Sequence, residues 1–279
     1  MPLTRRFDWR RGLVTAIMLA LSVLFLLPFI WMLVTSFKAE SDVFVYPIQW
    51  IPRHWHAIEN YKEVWNGKYP FYRYYWNSIK VSVVTTLISA TVSSLAAYGF
   101  SKVRFKAGKW LFMIVLATYM IPSQAILVPQ FILYRNIGLF DSHLGLIILS
   151  SFSVLGTFML RQFFMGVSQD YIESAKIDGA GHFRIFRSIG LPLVKPAVAT
   201  YAILRFIWTW NDYQNPLIFL RTDKLFTLPL AMQKFTSVSG EFYSLIMAAA
   251  VSAILPLFIV FVIGQKSVIE GIALGGVKG

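Results

Sequence analysis

The sequence predicts an all-α polytopic membrane protein of six transmembrane helices, with an L-shaped helical loop on one side. Three observations carry this prediction. Hydrophobic residues make up 57% of the chain and charged residues only 14%. Apolar runs of more than ~18 residues recur, enough to cross ~30 Å of hydrocarbon at ~1.5 Å per residue. Between two such runs, Tyr171 to Pro192 forms a polar, cation-bearing stretch that a chain built for lipid keeps in water.

The spans read at roughly 12–37, 77–100, 110–134, 142–165, 196–220 and 244–264, and the whole chain, 1–279, reads as a single transmembrane domain. Arg5, Arg6, Arg10 and Arg11 precede the first run, but Gly12 to Phe37 far exceeds the ~7–15 apolar residues of a secretory signal, and no small-residue cleavage site follows. It is read as a retained first helix. The loop from Lys38 to Trp76 is too long for a simple turn and contains the helix-like run IENYKEVW. Two readings of it stay open: a solvated connector packing the rim of the bundle, or a docking surface for an external protein. His54 and His56 flank Trp55 there, which fits an interfacial belt better than a metal site. With no cysteine in the chain, a disulfide framework and a thiolate metal site are both excluded.

The net charge of +13 would suggest nucleic acid in a soluble protein, but it sorts by side of the membrane. With the N-terminus inside, the inner segments hold fifteen cations against five acids, and the outer segments ten against eight. The positive-inside rule then puts both termini in the cytoplasm, so the basic balance reports topology and implies no nucleic-acid partner. Arg205 falls inside a span, ~15 Å beyond Lys195, where a cation costs several kcal/mol unless it meets a partner or a wet cavity. It is read as lining a cavity, facing an acidic group on a substrate or on a second subunit, or as a structural ion pair.

Pro28, Pro122, Pro129, Pro216 and Pro256 lie in or near spans, where they free backbone carbonyls and kink helices. The fifth span carries Trp208, Trp210, Asn211, Asp212, Tyr213, Gln214 and Asn215, aromatic faces beside amide and carboxylate groups. Sugars present C–H faces and hydroxyls, so stacking plus hydrogen bonding is what a saccharide site needs. Capping groups in an interfacial belt explain Asp212 to Asn215 equally well.

In the loop 166–195, Asp170 and Glu173 have capping-box spacing, and Gly179 and Gly181 stand where a helix end and tight turn are wanted. A second helix, His182 to Gly190, places Phe183, Phe186 and Ile189 on one stripe with Arg184 and Arg187 off it, and Pro192 ends it.

These residues resemble a known signature. Glu173-Ser174-Ala175, then Gly179, Ile189 and Leu191-Pro192, are spaced as in the EAA motif of permease subunits of binding-protein-dependent ABC importers, with Ser174 where alanine is usual. MIPSQAILVPQF, IGLFDSHLGLI, LRQFF, WNDYQNPLIFL and the tail GQKSVIEGIALGGVKG are similar to the carbohydrate-uptake branch, to the six-span subunit of the maltose type. The resemblance implies a type I importer permease that pairs with a second permease as a heterodimer. It further implies two ATPase subunits and an extracytoplasmic solute-binding protein as partners, and a saccharide as substrate. Glu173, Ser174, Ala175, Asp178, Gly179, Ile189, Leu191 and Pro192 would then couple to the ATPases, with Arg205, Trp208, Trp210, Asn211 and Asp212 on the substrate path. For the tail, composition predicts a mobile end, whereas the resemblance implies that Gly275, Gly276 and Lys278 reach between the ATPases.

The chain itself is expected to be no enzyme and to hold no cofactor, with ATP and Mg bound by partners in a bacterial or archaeal cytoplasmic membrane. Gly108-Lys109 is followed by Trp110 and lacks the glycine-rich loop that cradles phosphates. An autonomous secondary transporter would show internal repeats and titratable residues in its spans, and a membrane enzyme would show carboxylate or histidine clusters. Neither pattern is found. A permease for a non-sugar solute, such as a phosphorylated polyol, remains the alternative.

Overall fold

Where the chain can run an uninterrupted apolar helix, it does, and where it cannot, it bends. The computed structural model describes residues 9–68, 70–237 and 242–276, with the backbone alone at 235–237 and 268–276. Arg5, Arg6, Glu241 and Lys278 lie outside the described residues. Among those described, all regular structure is helical apart from one β-bridge between Lys38 and Trp55.

Helix α1 (Trp9–Thr35) has none of its apolar stretch buried. A helix apolar on every side whose apolar stretch finds no cover among the described residues belongs in apolar surroundings such as lipid. Helix α2 (Ala57–Asn66) is the helix-like run of the following loop. Helix α3 (Phe71–Lys102) starts earlier than the span at 77–100, because the aromatic run from Phe71 to Trp76 continues the helix.

The third, fourth and fifth spans are broken where continuous helices were expected. Helix α4 (Gly108–Tyr119) and helix α5 (Ser123–Asn136) meet at 97°. Pro122 explains the break: it is extended (ψ 132°), lacks an N–H and disfavours helix at Ile121. Helix α6 (His143–Leu149) and helix α7 (Val154–Met165) meet at 47°. Ser142 and Ser153 cap them, each accepting at 3.0 Å from the amide three residues on.

Helix α8 (Gln169–Ile177), helix α9 (His182–Ile185), a π-turn at Phe186–Gly190 and helix α10 (Leu191–Leu193) lead to helix α11 (Lys195–Trp210). The segment His182–Leu193 meets α11 at 81°. The fifth span ends its first helix at Trp210, before helix α12 (Gln214–Phe219), and so does not run straight through 196–220. Helix α13 (Leu228–Ser237) precedes helix α14 (Tyr243–Gly276), which continues well beyond the 244–264 read from hydropathy. Among the described residues, three helices are long and apolar enough to cross a membrane, or up to six spans if each bent pair is one.

The described residues cluster into two units. The first holds those up to Phe71 together with Met232–Ile254. Here Asn60 Nδ2 donates to the carbonyls of Ser36 (3.0 Å) and Lys38 (2.8 Å), and Trp55 stacks on Phe37, so the long loop packs on the exit of α1. Lys38 is fully buried with its ammonium 4.3 Å over the Trp31 ring. His54 finds a partner its sequence neighbours did not suggest, Asp42 at 2.9 Å. Glu40 accepts from the Tyr243 amide (3.0 Å), the Ser244 amide (2.9 Å) and the Ser244 hydroxyl (2.7 Å), capping the start of α14.

The second unit holds Tyr72–Ala231 and the chain from Leu255. One of its cores joins Tyr98, Leu160, Phe164, Val194, Ala197 and Tyr201 to the polar loop. At the other end of α3, the segment 219–228 is tied down by side chains. Tyr74 donates to Asp223 at 2.9 Å, Asn77 to the carbonyls of Lys224 and Phe226 at 2.9 Å each, and Ser78 accepts from the Leu228 amide at 2.7 Å. Asp141, at a left-handed φ of 53°, accepts from the amides of Arg221 and Thr222 and from the Thr222 hydroxyl.

Two measurements test these clamps. Glu40→Ala leaves two amides of α14 without their partner and should cost about 1–2 kcal/mol, read as a lower thermal midpoint in detergent. For Asp141, burial opposes ionisation, but the Thr222 and Arg221 donors and the Arg221 charge outweigh it and hold the carboxyl below its ordinary value. A lowered folded-state pKa means stabilisation that is present above the ordinary carboxylate value and is lost as pH falls through the lowered one. Protection of 219–228 in hydrogen exchange should therefore persist to below about pH 4 and then fall, and Asp141→Asn should abolish that acid step.

Candidate functional site

The polar loop is built by its punctuation. Ser168, not Asp170, is the N-cap of α8: its hydroxyl accepts from the Asp170 amide at 3.2 Å and donates to the Asp170 carboxylate at 2.9 Å. Asp170 therefore sits within the first turn, where its charge suits the helix dipole. At the other end the Ala180 amide bonds the Ala175 carbonyl (2.9 Å) and the Gly179 amide bonds that of Lys176 (3.0 Å). This is a Schellman closure, and Gly179 takes the φ of +80° that it requires. Gly181 is extended and starts the second helical segment.

That segment departs from its sequence reading in two ways. Ile185, Phe186 and Gly190 are buried and Ile189 half-buried, while Phe183 lies on the flank of the buried arc and is exposed. Pro192 does not stop the helix, because it occupies a first-turn position of α10 where a missing N–H costs nothing; the bend falls at Val194.

The candidate coupling residues divide between two faces. Ala175 is buried in the core beside Ile172, which was not among the candidates, with Ile189 and Leu191 at its edge. Gly190 lies so near Tyr98 and Phe164 that an added Cβ would come within 3.4 Å of both rings. Glu173, Ser174, Asp178, Gly179 and Pro192 are exposed, and so are three large apolar side chains, Tyr171 (59%), Ile177 (86%) and Phe183 (69%). The loop is thus bolted to the bundle on one side and offers an amphipathic surface on the other. Lys102 adds a strut, its ammonium donating to the Val167 carbonyl at 2.5 Å.

On the fifth span, Arg205 donates through Nη2 to the carbonyl of Ser150, in the break between α6 and α7. Its Nε is buried with no hydrogen-bond partner among the described residues. The partner found is backbone of the same chain, an option the sequence reading did not hold. Trp210 is 2% exposed, stacked on Phe206 at 5.8 Å and edge-on to Tyr75 at 5.6 Å, whereas Trp208 is 42% exposed. Asp212 accepts from the Asn215 amide (3.1 Å) and side chain (2.7 Å), fixing the turn into α12, and Asn211 is exposed and donates to Ile207 O at 2.9 Å. The helix holding Gly275 and Gly276 continues to Gly276, and Lys278 is beyond it.

Sequence reasoning passed over a stripe on α3. Ser78, Ser82, Thr85, Ser89 and Ser93 follow one another at three- and four-residue spacing and are all buried. Ser89 bonds the Tyr201 hydroxyl at 2.8 Å, while Ser82, Thr85 and Ser93 have hydroxyls without a partner among the described residues. The signal was the helical spacing of small polar residues within an apolar run. Tyr201 in turn needs Gly156, where a Cβ would come to 2.3 Å of its ring. One turn on from Tyr201, Arg205 anchors the α6–α7 break, so Arg205→Met should lower stability by about 1–3 kcal/mol in a thermal melt of the detergent-solubilised protein.

Compared with known proteins, residues 89–272 match the family model of the binding-protein-dependent transport system inner membrane component. The arabinooligosaccharides transport system permease protein AraQ of Bacillus subtilis is 33% identical over 98% of both chains. The sulfoquinovosyl glycerol transport system permease protein SmoH of Agrobacterium fabrum is 33% identical over 91% of this chain and 89% of its own. Among solved structures, a chain of a bacterial ABC transporter involved in the import of the acidic polysaccharide alginate superposes with a TM-score of 0.84 at 26% identity, covering 95% of this chain and 99% of that one. The chain therefore belongs to the family of inner membrane components of binding-protein-dependent transport systems.

Proposed function

We propose that this chain forms part of the membrane path of an ABC importer for an oligosaccharide or sugar derivative, driven by ATP hydrolysed on separate subunits. The observation that carries the coupling half is the two-faced loop: Ile172 and Ala175 fixed in the core, Glu173, Ser174, Asp178 and Gly179 exposed beside Tyr171, Ile177 and Phe183. A rigid, amphipathic surface of this kind suits a groove in an ATPase subunit. The substrate half is supported by relatives named for arabinooligosaccharides and for sulfoquinovosyl glycerol, and by the alginate importer. Those names include neutral and acidic carbohydrates, and Arg205, engaged by the Ser150 carbonyl, does not choose between them.

In this reading the whole chain is one permease domain, with both termini and the loop 166–195 in the cytoplasm of a bacterial or archaeal cell. Its partners are a second permease in a heterodimer, two ATPases that bind ATP and Mg, and an extracytoplasmic solute-binding protein. Ile189, Leu191 and Pro192 hold the docking helix at its angle, and Gly275, Gly276 and Lys278 approach the ATPases. Trp208 and Asn211 offer the exposed ring and amide a sugar needs, with Arg205, Trp210 and Asp212 shaping the wall behind them. Reversing a two-state equilibrium from 1:99 to 99:1 takes ~5.5 kcal/mol of differential binding, which nucleotide-driven closure of the partners can deliver through a stiff loop.

The test is ATP hydrolysis by the complete complex in nanodiscs with its binding protein, across neutral and acidic oligosaccharides. Stimulation by one of them is expected, and stimulation by none removes the saccharide assignment. Glu173→Lys should cut stimulated hydrolysis by about an order of magnitude while the complex still copurifies; loss of the complex would make Glu173 an assembly residue instead.

A further inference from the structure

A groove of about 810 Å³ lies between the end of α3, the start of α4 and the side of α7, at the same end of the bundle as the polar loop. Its chemistry is divided. Arg104, Lys106, Lys109 and Arg161 supply four cations, and Phe105 and Phe112 are among the apolar side chains that line it.

No acidic residue occurs between Glu63 and Asp141, so the segment that forms most of the groove has no carboxylate of its own. Arg104, Lys106 and Lys109 are exposed or at the groove rim and make no hydrogen bond or ion pair among the described residues. Arg161 is oriented: its Nε donates to the Phe100 carbonyl at 3.2 Å and its guanidinium lies 4.3 Å over the Phe112 ring. Directly beyond the cations, α4 presents Trp110, Met113 and Ile114 outward, an apolar face bounded by an aromatic residue of the kind that marks the headgroup level.

A ligand for this groove must bring an anion to the cations and hydrocarbon to the face next to them. We propose that the groove binds an anionic glycerophospholipid, its phosphate among Arg104, Lys106, Lys109 and Arg161 and its acyl chains along the exposed face of α4. Basic pockets between membrane helices bind lipid phosphates through the same combination of charge and adjacent hydrocarbon. A free phosphate shares the charge but makes no use of the apolar face. The site does not depend on which solute the importer carries.

The experiment is native mass spectrometry of the full-length chain in detergent, titrated with phosphatidylglycerol or with phosphatidylcholine of the same acyl chains. Phosphatidylglycerol should be retained in preference, and the triple variant R104Q/K106Q/K109Q should bind it about fivefold more weakly for each cation removed. A control of equal charge loss away from the groove, R53Q/K62Q/R135Q, should bind as the unaltered chain does. Equal retention of both lipids, equal weakening in both triple variants, or full displacement by millimolar inorganic phosphate would each overturn the proposal. Independently of any variant, a photoreactive phosphatidylglycerol should label the unaltered chain within 100–116 or at Arg161, and labelling spread evenly over other helices would also overturn it.

Discussion

Inside hydrocarbon no water is available to a bare N–H or C=O, so every interruption of a membrane helix must be answered by another group of the protein. That constraint organises this chain. The break between α6 and α7 is answered by Ser153 on one side and by the Arg205 guanidinium on the Ser150 carbonyl on the other. The turn between α11 and α12 is answered by Asp212. The start of α14 is answered by Glu40 and the segment after α12 by Asp141. Arg205, Asp212, Glu40 and Asp141 each meet the chain at a helix end or turn, where the backbone itself is the unsatisfied charge.

The polar loop obeys the same rule and adds stiffness. Tyr98 of α3 lies 5.7 Å from Phe164 of α7 and 5.3 Å from Phe186 of the loop, and Phe164 lies 6.2 Å from Phe186. Three segments therefore share one aromatic cluster, with Ile172 and Ala175 packed into it from α8. A force applied to the exposed face of α8 meets packed rings behind it, and close-packed interiors transmit displacement with little loss. A helix held only by its two chain connections could swing without moving the segments behind it.

Much of this was legible in the sequence, for reasons that differ by element. Helix α1 was plain because its run from Gly12 to Thr35 is apolar and unbroken by any charge. Gly179 was plain because a left-handed position leaves glycine almost no competitor. The bends were not. Pro122 and the Ser150–Ser153 run were visible, but the same residues occur in gently kinked helices, and hydropathy averaged over a window cannot tell a kink from a 97° turn. The cap of α8 was misplaced because Ser168 and Asp170 both suit such a position, and backbone geometry two residues upstream decides between them. Phe183 was placed on one stripe with Phe186 and Ile189 because three-residue spacing does not show which arc of the helix is buried; the buried arc is centred on Ile185, Phe186, Ile189 and Gly190.

The proposed substrate path was the least legible part, and the reason is chemical. Residues that hold a sugar and residues that close a helix end are the same types, amides, hydroxyls, carboxylates and indoles. Composition therefore points to a region without separating the two uses. The hydrogen bonds separate them in part: Asp212 and Arg205 are occupied by backbone, and Trp210 is packed between two rings, while Trp208 and Asn211 keep exposed surface. The α3 stripe poses the question differently, since Ser82, Thr85 and Ser93 are buried with hydroxyls that no described residue engages. Small residues at this spacing let helices approach closely, but alanine would do that without leaving a polar atom uncompensated in a dry interior. These buried hydroxyls cost the fold something, and close packing of α3 does not by itself account for them.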